Sequence, residues 1–448
     1  MAPRPVAPQP TAPPPQAASP QPALRPVTKT ASTLPKSRPS KTKRRRGKKF
    51  KRFLLLLVFL LVLAAAAGAG YKFYQKRQSK AATPAASQTA NTKSASKPTG
   101  TVRFIAIGDN LAFESINNAA KKTDGSYDYL PMMDNFKPFF DKADIRLCNE
   151  STPGGGDKNG LAISAFPTFN APLSWSTGLA GLGCNVVNLA SDHINDKGQP
   201  AIDATRSTWD QQKNVLAVSG ASRSTDEQSK INYFTVKGLK FAYLAYTTST
   251  ANKDAQPFSI NLYSDSLADK QLDEAHKNAN LVIVSMNWGS ENSGDINGDQ
   301  DRIAQHLADK NADVVVGGGP HVLQPAKVLN GQGGHQTLVW YSLGNFLNSE
   351  LPVENLIGGM AIMDFDVATQ KISDPKLLPV YMHYEWTAQQ KASNDVNSRK
   401  NFKLYPLDQA SAQLANSQNN TTVAAQTSRI TGIITKFIPV KVITSSAY

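Results

Sequence analysis

The chain has 448 residues, of which 40% are hydrophobic, with a formal charge of +15 and two cysteines. That is enough apolar material for one large globular domain or two ordinary ones, and it excludes a wholly disordered chain or a miniature held by disulfides. The charge does not make the folded part basic. Residues 1–52 hold 14 Lys/Arg and no acid, residues 53–100 hold six more and no acid, and the remainder carries 29 bases against 34 acids, which disfavours a nucleic-acid face on the folded domain.

In chain order, residues 1–52 open as "MAPRPVAPQPTAPPPQ" and end as "KTKRRRGKKFKR". The first part has almost nothing to bury and is expected to be a disordered arm with polyproline-II character. Directly after it, Phe53–Gly70 is an uncharged apolar run of 18 residues. As a helix it would be about 27 Å long, enough to cross a bilayer. Residues 53–72 are therefore read as one transmembrane helix. The basic cluster before it places the N-terminus in the cytoplasm and the folded domain outside, a single-pass anchor in the cell membrane. A cleaved signal peptide is the competing reading, because "AAAAGAG" supplies small residues, but the basic region in front is abnormally long for one. Residues 73–100, rich in Ala, Ser, Thr and Lys, read as a flexible extracellular stalk.

From Thr101 the pattern changes to short apolar runs alternating with amphipathic stretches. The runs are "TVRFIAIGD", "ADIRLCNES", "CNVVNLASDH", "LKFAYLAYTTS", "ANLVIVSMNWG", "ADVVVGGGPH" and "TLVWYSLGNF". Each has a β-branched or aromatic heart closed by Gly, Asn, Asp or Ser. Helices are expected over "QPAIDATRSTWDQQKN", "DSLADKQLDEAHKNA" and "DQDRIAQHLADKNA". Strand then helix, repeated, predicts an α/β domain over 101–390, with ligands gathering beyond the carboxyl ends of the strands. In the C-terminal extension, 391–448, "ITGIITKFIPVKVI" reads as β-rich, returning to the sheet or else left as a mobile tail. His383 reads as packing. Cys148 and Cys184 leave a disulfide and two buried thiols equally open.

The strand ends converge chemically. They deliver Asp109, Asn149-Glu150, Asp192-His193, Asn287-Trp288, Gly317–His321 and Asn345. Singly, each fits a cap or a turn. Together they offer the oxygen and imidazole ligands that one or two divalent cations need. Ser191-Asp192-His193 does not make a hydrolytic relay, because neighbours on one strand point to opposite faces.

The order "GDN", "NES", "SDHINDKG", "SMNWG", "GPHVLQP" and "YSLGNF" resembles the capsule-synthesis CapA family, associated with poly-γ-glutamate, a branch of the calcineurin-like metallophosphatase superfamily. The likeness runs from about Val102 to Phe346. It implies a four-layer α/β/β/α sandwich and a rim that holds a dinuclear metal centre in active relatives. Carried over by position, Asp109, Asn149, Glu150, Asp192, His193, Asn287 and His321 would be metal ligands, and His193 and His321 would serve catalysis. Gly317, Gly318, Gly319, Trp288 and Asn345 would bind substrate, the glycine N–H groups either forming a nest for an anion or simply allowing a turn where ligands are no longer needed. The chain departs from the family where Asn-Asn-His becomes Ser191-Asp192-His193, His-Trp-Gly becomes Asn287-Trp288-Gly289, and Gly-His-His-Pro-His becomes Gly317–His321. Three imidazole positions are gone. The metal, Mn, Mg or Zn, with Ca also suited to the added carboxylate, is then either kept on oxygen ligands or lost. Two functions follow: a surface-tethered metal-dependent hydrolase or transferase, or a degenerate module that binds or assembles an anionic capsule polymer or meets its synthesis machinery.

Overall fold

In the computed structural model, which describes residues 99–448, the apolar runs become the strands of two sheets. The residues of the expected arm and transmembrane helix and nearly all of the expected stalk lie outside the described residues. Among the described residues, no helix is long and apolar enough to cross a membrane.

The first sheet is built from β1 (Thr101–Asn110), β2 (Ile145–Glu150), β3 (Val186–Asn188) and β4 (Ala217–Ser219), all parallel. The second comprises β5 (Asn232–Val236), β6 (Leu239–Thr247), β7 (Leu281–Asn287), β8 (Val314–Gly318), β9 (Ala326–Asn330) and β10 (Gln336–Trp340), in the order β5-β6-β7-β8-β10-β9. Its central four strands are parallel and the two edges antiparallel. Continuous apolar runs such as "LVIVSM" are what parallel strands covered on both faces require.

The chain then returns to the first sheet. β11 (Ile357–Asp366) pairs antiparallel with β1, β12 (Ile372–Glu385) with β11, and β13 (Lys400–Pro406) with β12, while β14 (Lys441–Val442) lies parallel to β12. The C-terminal extension is thus woven into the sheet. The β-rich expectation for "ITGIITKFIPVKVI" holds only at Lys441–Val442. "ITGII" closes the helix Val423–Ile434, which Thr422 caps and which buries Ile430 and Ile434, one turn apart.

Facing residues of the two sheets interlock, as where Phe241 of β6 meets Phe365 of β11 at 5.3 Å between ring centroids. The helices Asp265–Asn278 and Gly298–Asp309 cover the far side of the second sheet, packing Leu272, Ile303 and Leu307 against Leu244, Val282 and Val284. The second of these starts on a reciprocal cap between Asn297 and Gln300. Ser174–Leu182 and Gln199–Asp210 bring Trp175 and Trp209 to the first sheet's core. All three helices expected from the sequence form. Cys148 and Cys184, left open above, are joined in a disulfide that ties β2 to the turn before β3.

Candidate functional site

The parallel strands β1, β2, β3, β7 and β8 end at one rim, where the sheets come together. Asp109, at the end of β1, is 0% exposed. The approach depends on Gly318, since a Cβ there would lie 2.6 Å from Asp109 Oδ1. Asp109 Oδ1 accepts from Asn149 Nδ2 and from the Ser151 hydroxyl at 3.2 Å. Asp109 Oδ2 accepts from the Gly319 N–H at 3.0 Å and faces His321 Nδ1 at 2.9 Å. Asn188, at the end of β3, donates to Asn149 Oδ1 and extends the network.

His321 is held at φ +60°, a backbone region uncommon for a side chain larger than glycine. Its Nδ1 also lies 3.1 Å from Asn345 Oδ1. Burial alone would lower its pKa, but the hydrogen bond and charge of Asp109, with Asp192 and Glu291 adding, push it up to about 9. His193 stands in the loop after β3, its Nδ1 2.9 Å from Asp196 Oδ2 and its Nε2 3.6 Å from Asp192 Oδ2. Burial opposes its charge, while the hydrogen bond to Asp196 and the Asp192 charge raise its pKa on balance. Phe169 lies edge-on to His193 at 4.9 Å and donates its backbone N–H to Asp196. Beside it, Phe166 is 69% exposed, a large apolar ring left at the rim.

The structure brings together Asp109, Asn149, Asp192, His193, His321 and Asn345, and turns Glu150, Trp288 and Gly317 away from them. Glu150 leaves on the opposite face of β2 from Asn149, as strand alternation demands. Its oxygens accept from the Ser176 hydroxyl at 2.7 Å and the Trp209 indole N–H at 2.5 Å. Burial pushes its pKa up to about 7 against those hydrogen bonds. Trp288 is buried against Tyr341 and donates its indole N–H to the Tyr341 carbonyl at 2.8 Å, so it packs and does not line the rim. Gly317 packs against that same Trp288 indole and the Tyr341 carbonyl. Asn287 sits beside Gly319, its Oδ1 accepting from Thr247 and its Nδ2 buried without a partner. The expected glycine nest is taken from within, because the Gly319 N–H serves Asp109 and Gly318 makes room for that carboxylate.

Residue types alone missed Ser151, Asn188 and Asp196. The last had a signal, a carboxylate three residues after His193 in "SDHIND".

A dinuclear centre needs carboxylate oxygens with lone pairs to spare. A carboxylate offers about four acceptor positions, and those of Asp109 are met by an amide, a hydroxyl, a backbone N–H and an imidazole. Among the described residues, no three His, Cys, Asp or Glu side chains are grouped to hold a metal ion. The residues present fit a hydrogen-bonded ion pair and do not fit a two-metal centre.

Residues 103–350, more than half of the chain, match the family model described as bacterial capsule synthesis protein PGA_cap. The chain is 33% identical over 173 residues to the PGA biosynthesis protein CapA of Bacillus subtilis (strain 168), covering 38% of this chain and 44% of that protein. To the capsule biosynthesis protein CapA of Bacillus anthracis it is 32% identical over 173 residues, covering 37% and 40%. The chain thus spans less than half the length of these relatives. A solved phosphatase from Mycoplasma pneumoniae covers 63% of this chain and 94% of its own at 12% identity with a TM-score of 0.39, too slight a likeness to carry an argument.

Proposed function

Since the chain belongs to the bacterial capsule synthesis protein family PGA_cap, we propose that it acts in poly-γ-glutamate capsule synthesis outside a cell membrane, as a polymer-handling module tethered by Phe53–Gly70. Its frame would be the α/β/β/α sandwich of the metallophosphatase superfamily, rebuilt at the rim. The observation that carries this reading over a two-metal hydrolase is Asp109, whose acceptor positions are all engaged by the protein's own donors. The cation at the rim is then His321, which can meet the carboxylates of an anionic polymer, and Phe166 offers apolar surface to its methylene stems. The Cys148–Cys184 disulfide fits an oxidising exterior.

The test is elemental analysis of the full-length protein in non-ionic detergent after Mn²⁺, Mg²⁺ and Zn²⁺ soaking, beside Asp109→Ala, with poly-γ-glutamate retention measured with and without EDTA. The reading expects no stoichiometric metal in either protein and retention that ignores the chelator. Stoichiometric metal that disappears in Asp109→Ala would overturn it in favour of the hydrolase.

A second reading, acid–base catalysis on the polymer, is favoured by the way both imidazoles are held. His321 engages Asp109 through Nδ1, which leaves its Nε2 for proton transfer, while His193 engages Asp196 through Nδ1 and has Asp192 3.6 Å from its Nε2. Polymer cleavage that persists in EDTA and is lost in both His193→Gln and His321→Gln would support it.

A further inference from the structure

The amino ends of the parallel strands lie away from the rim, and there a groove of about 530 Å³ runs between Asp144, Arg146, Asn185, Lys213, Leu216 and Lys237. Its charges are unevenly paired. Lys237 Nζ donates to Asp144 Oδ2 at 2.7 Å and to the Thr101 carbonyl at 2.9 Å, and the Arg103 N–H donates to that same Asp144 oxygen at 2.8 Å. Asp144 is therefore committed.

Arg146 stands apart from the other arginines. Arg103, Arg206, Arg223, Arg302, Arg399 and Arg429 all donate through their guanidinium groups to carboxylates, carbonyls or a side-chain amide. Among the described residues, Arg146 alone has no acceptor on its guanidinium, and its Nε is buried without a partner. The other countercharge acting on Arg146 besides Asp144 is Asp141, which is bonded to Lys137. Lys213, exposed and lining the same groove, has no ion-pair partner among the described residues. A buried donor of this kind costs free energy unless an acceptor arrives. A guanidinium fork and an ammonium lining one groove suit a phosphate oxyanion, which takes two parallel N–H bonds from the fork and a point charge from the lysine.

The place of the groove indicates the source of the phosphate. Lys237 fastens it to Thr101, where β1 begins, the end of the fold from which the chain leads back through residues 73–100 to the uncharged run Phe53–Gly70. We infer that the groove binds the phosphate of an anionic lipid headgroup between Arg146 and Lys213, seating the amino end of the fold on the membrane. This rests on the tether reading above.

The experiment uses the full-length protein in nanodiscs of phosphatidylcholine alone or mixed with phosphatidylglycerol, reading the acylation rate of Lys213 by mass spectrometry against exposed Lys391 as control. Phosphatidylglycerol is expected to slow labelling of Lys213 about fivefold and to leave Lys391 unchanged. Arg146→Gln should abolish the protection, and Arg146→Lys, which keeps the charge without the fork, should retain part of it. Protection by inorganic phosphate but not by phosphatidylglycerol would overturn the lipid assignment in favour of a soluble phosphate. Equal labelling under every condition would overturn the site. A protein that does not enter discs would instead overturn the tether, and the phosphate titration repeated in detergent then decides the groove on its own.

Discussion

Asp109 and Glu150 end neighbouring strands of one sheet, both are 0% exposed, and their surroundings treat them differently. Asp109 faces the second sheet and has an imidazole among its partners. Glu150 faces the outer helices and receives a hydroxyl, an indole N–H and the backbone N–H of Gly154, all neutral. Neutral dipoles offset only part of the cost of burying a charge, so Glu150 is pushed up to about 7. The residue that repeats the family's motif most plainly is thus a structural carboxyl, and the partner of Asp109 comes from the far sheet.

The sharpest way to break this contrast is Asp109→Ala. It strands the His321 imidazole and three further donors, and should cost about 3–5 kcal/mol in chemical denaturation. A loss under about 1 kcal/mol would mean that the ion pair is not the keystone of the rim. Next comes the link that holds β2, the strand carrying both Asn149 and Glu150. Replacing Cys148 and Cys184 by Ser should remove about 2–4 kcal/mol, and non-reducing mass analysis of the native protein should find no free thiol.

Glu150→Gln sharpens the contrast through pH. The raised pKa of Glu150 means that its contribution is fully present below the unfolded-state value and is lost as pH rises through about 7. Gln, always neutral, should cost about 1 kcal/mol at pH 5, where one donor loses its acceptor. That deficit should shrink by more than about 1 kcal/mol by pH 8. A pH-independent difference would place an unrecognised cation beside Glu150. The smallest effect belongs to Phe166→Ala, within about 0.5 kcal/mol on stability because the ring is exposed, with weaker poly-γ-glutamate retention as its readout. Unchanged retention would remove Phe166 from the polymer site.

Much of the frame could be read from residue order. Continuous apolar runs closed by Gly, Asn or Asp suit strands covered on both faces, and all seven became strands of the two sheets. Less legible were β4, three residues long, and β14, two residues long, since such short segments have no period of their own and exist through their partners. Of the site, Asp109, Asn149, His193, His321 and Asn345 were visible as polar ends of apolar runs. Trp288 was misplaced because a strand end does not disclose which face its last side chain takes when the strand runs into a turn.

By itself, then, the order of residues determined an alternating α/β chain, a set of polar strand ends and an acidic folded part behind a basic arm, because period, turn chemistry and charge are local properties. Only the tertiary structure decided which ends meet. Register sends Asn149 and Glu150 to opposite faces, the absence of a side chain at Gly318 lets one sheet approach the other, and Asp109 acquires its fourth donor from a residue 212 positions away. Whether a carboxylate has a lone pair left for a metal depends on those distant donors, and no short stretch of sequence contains them.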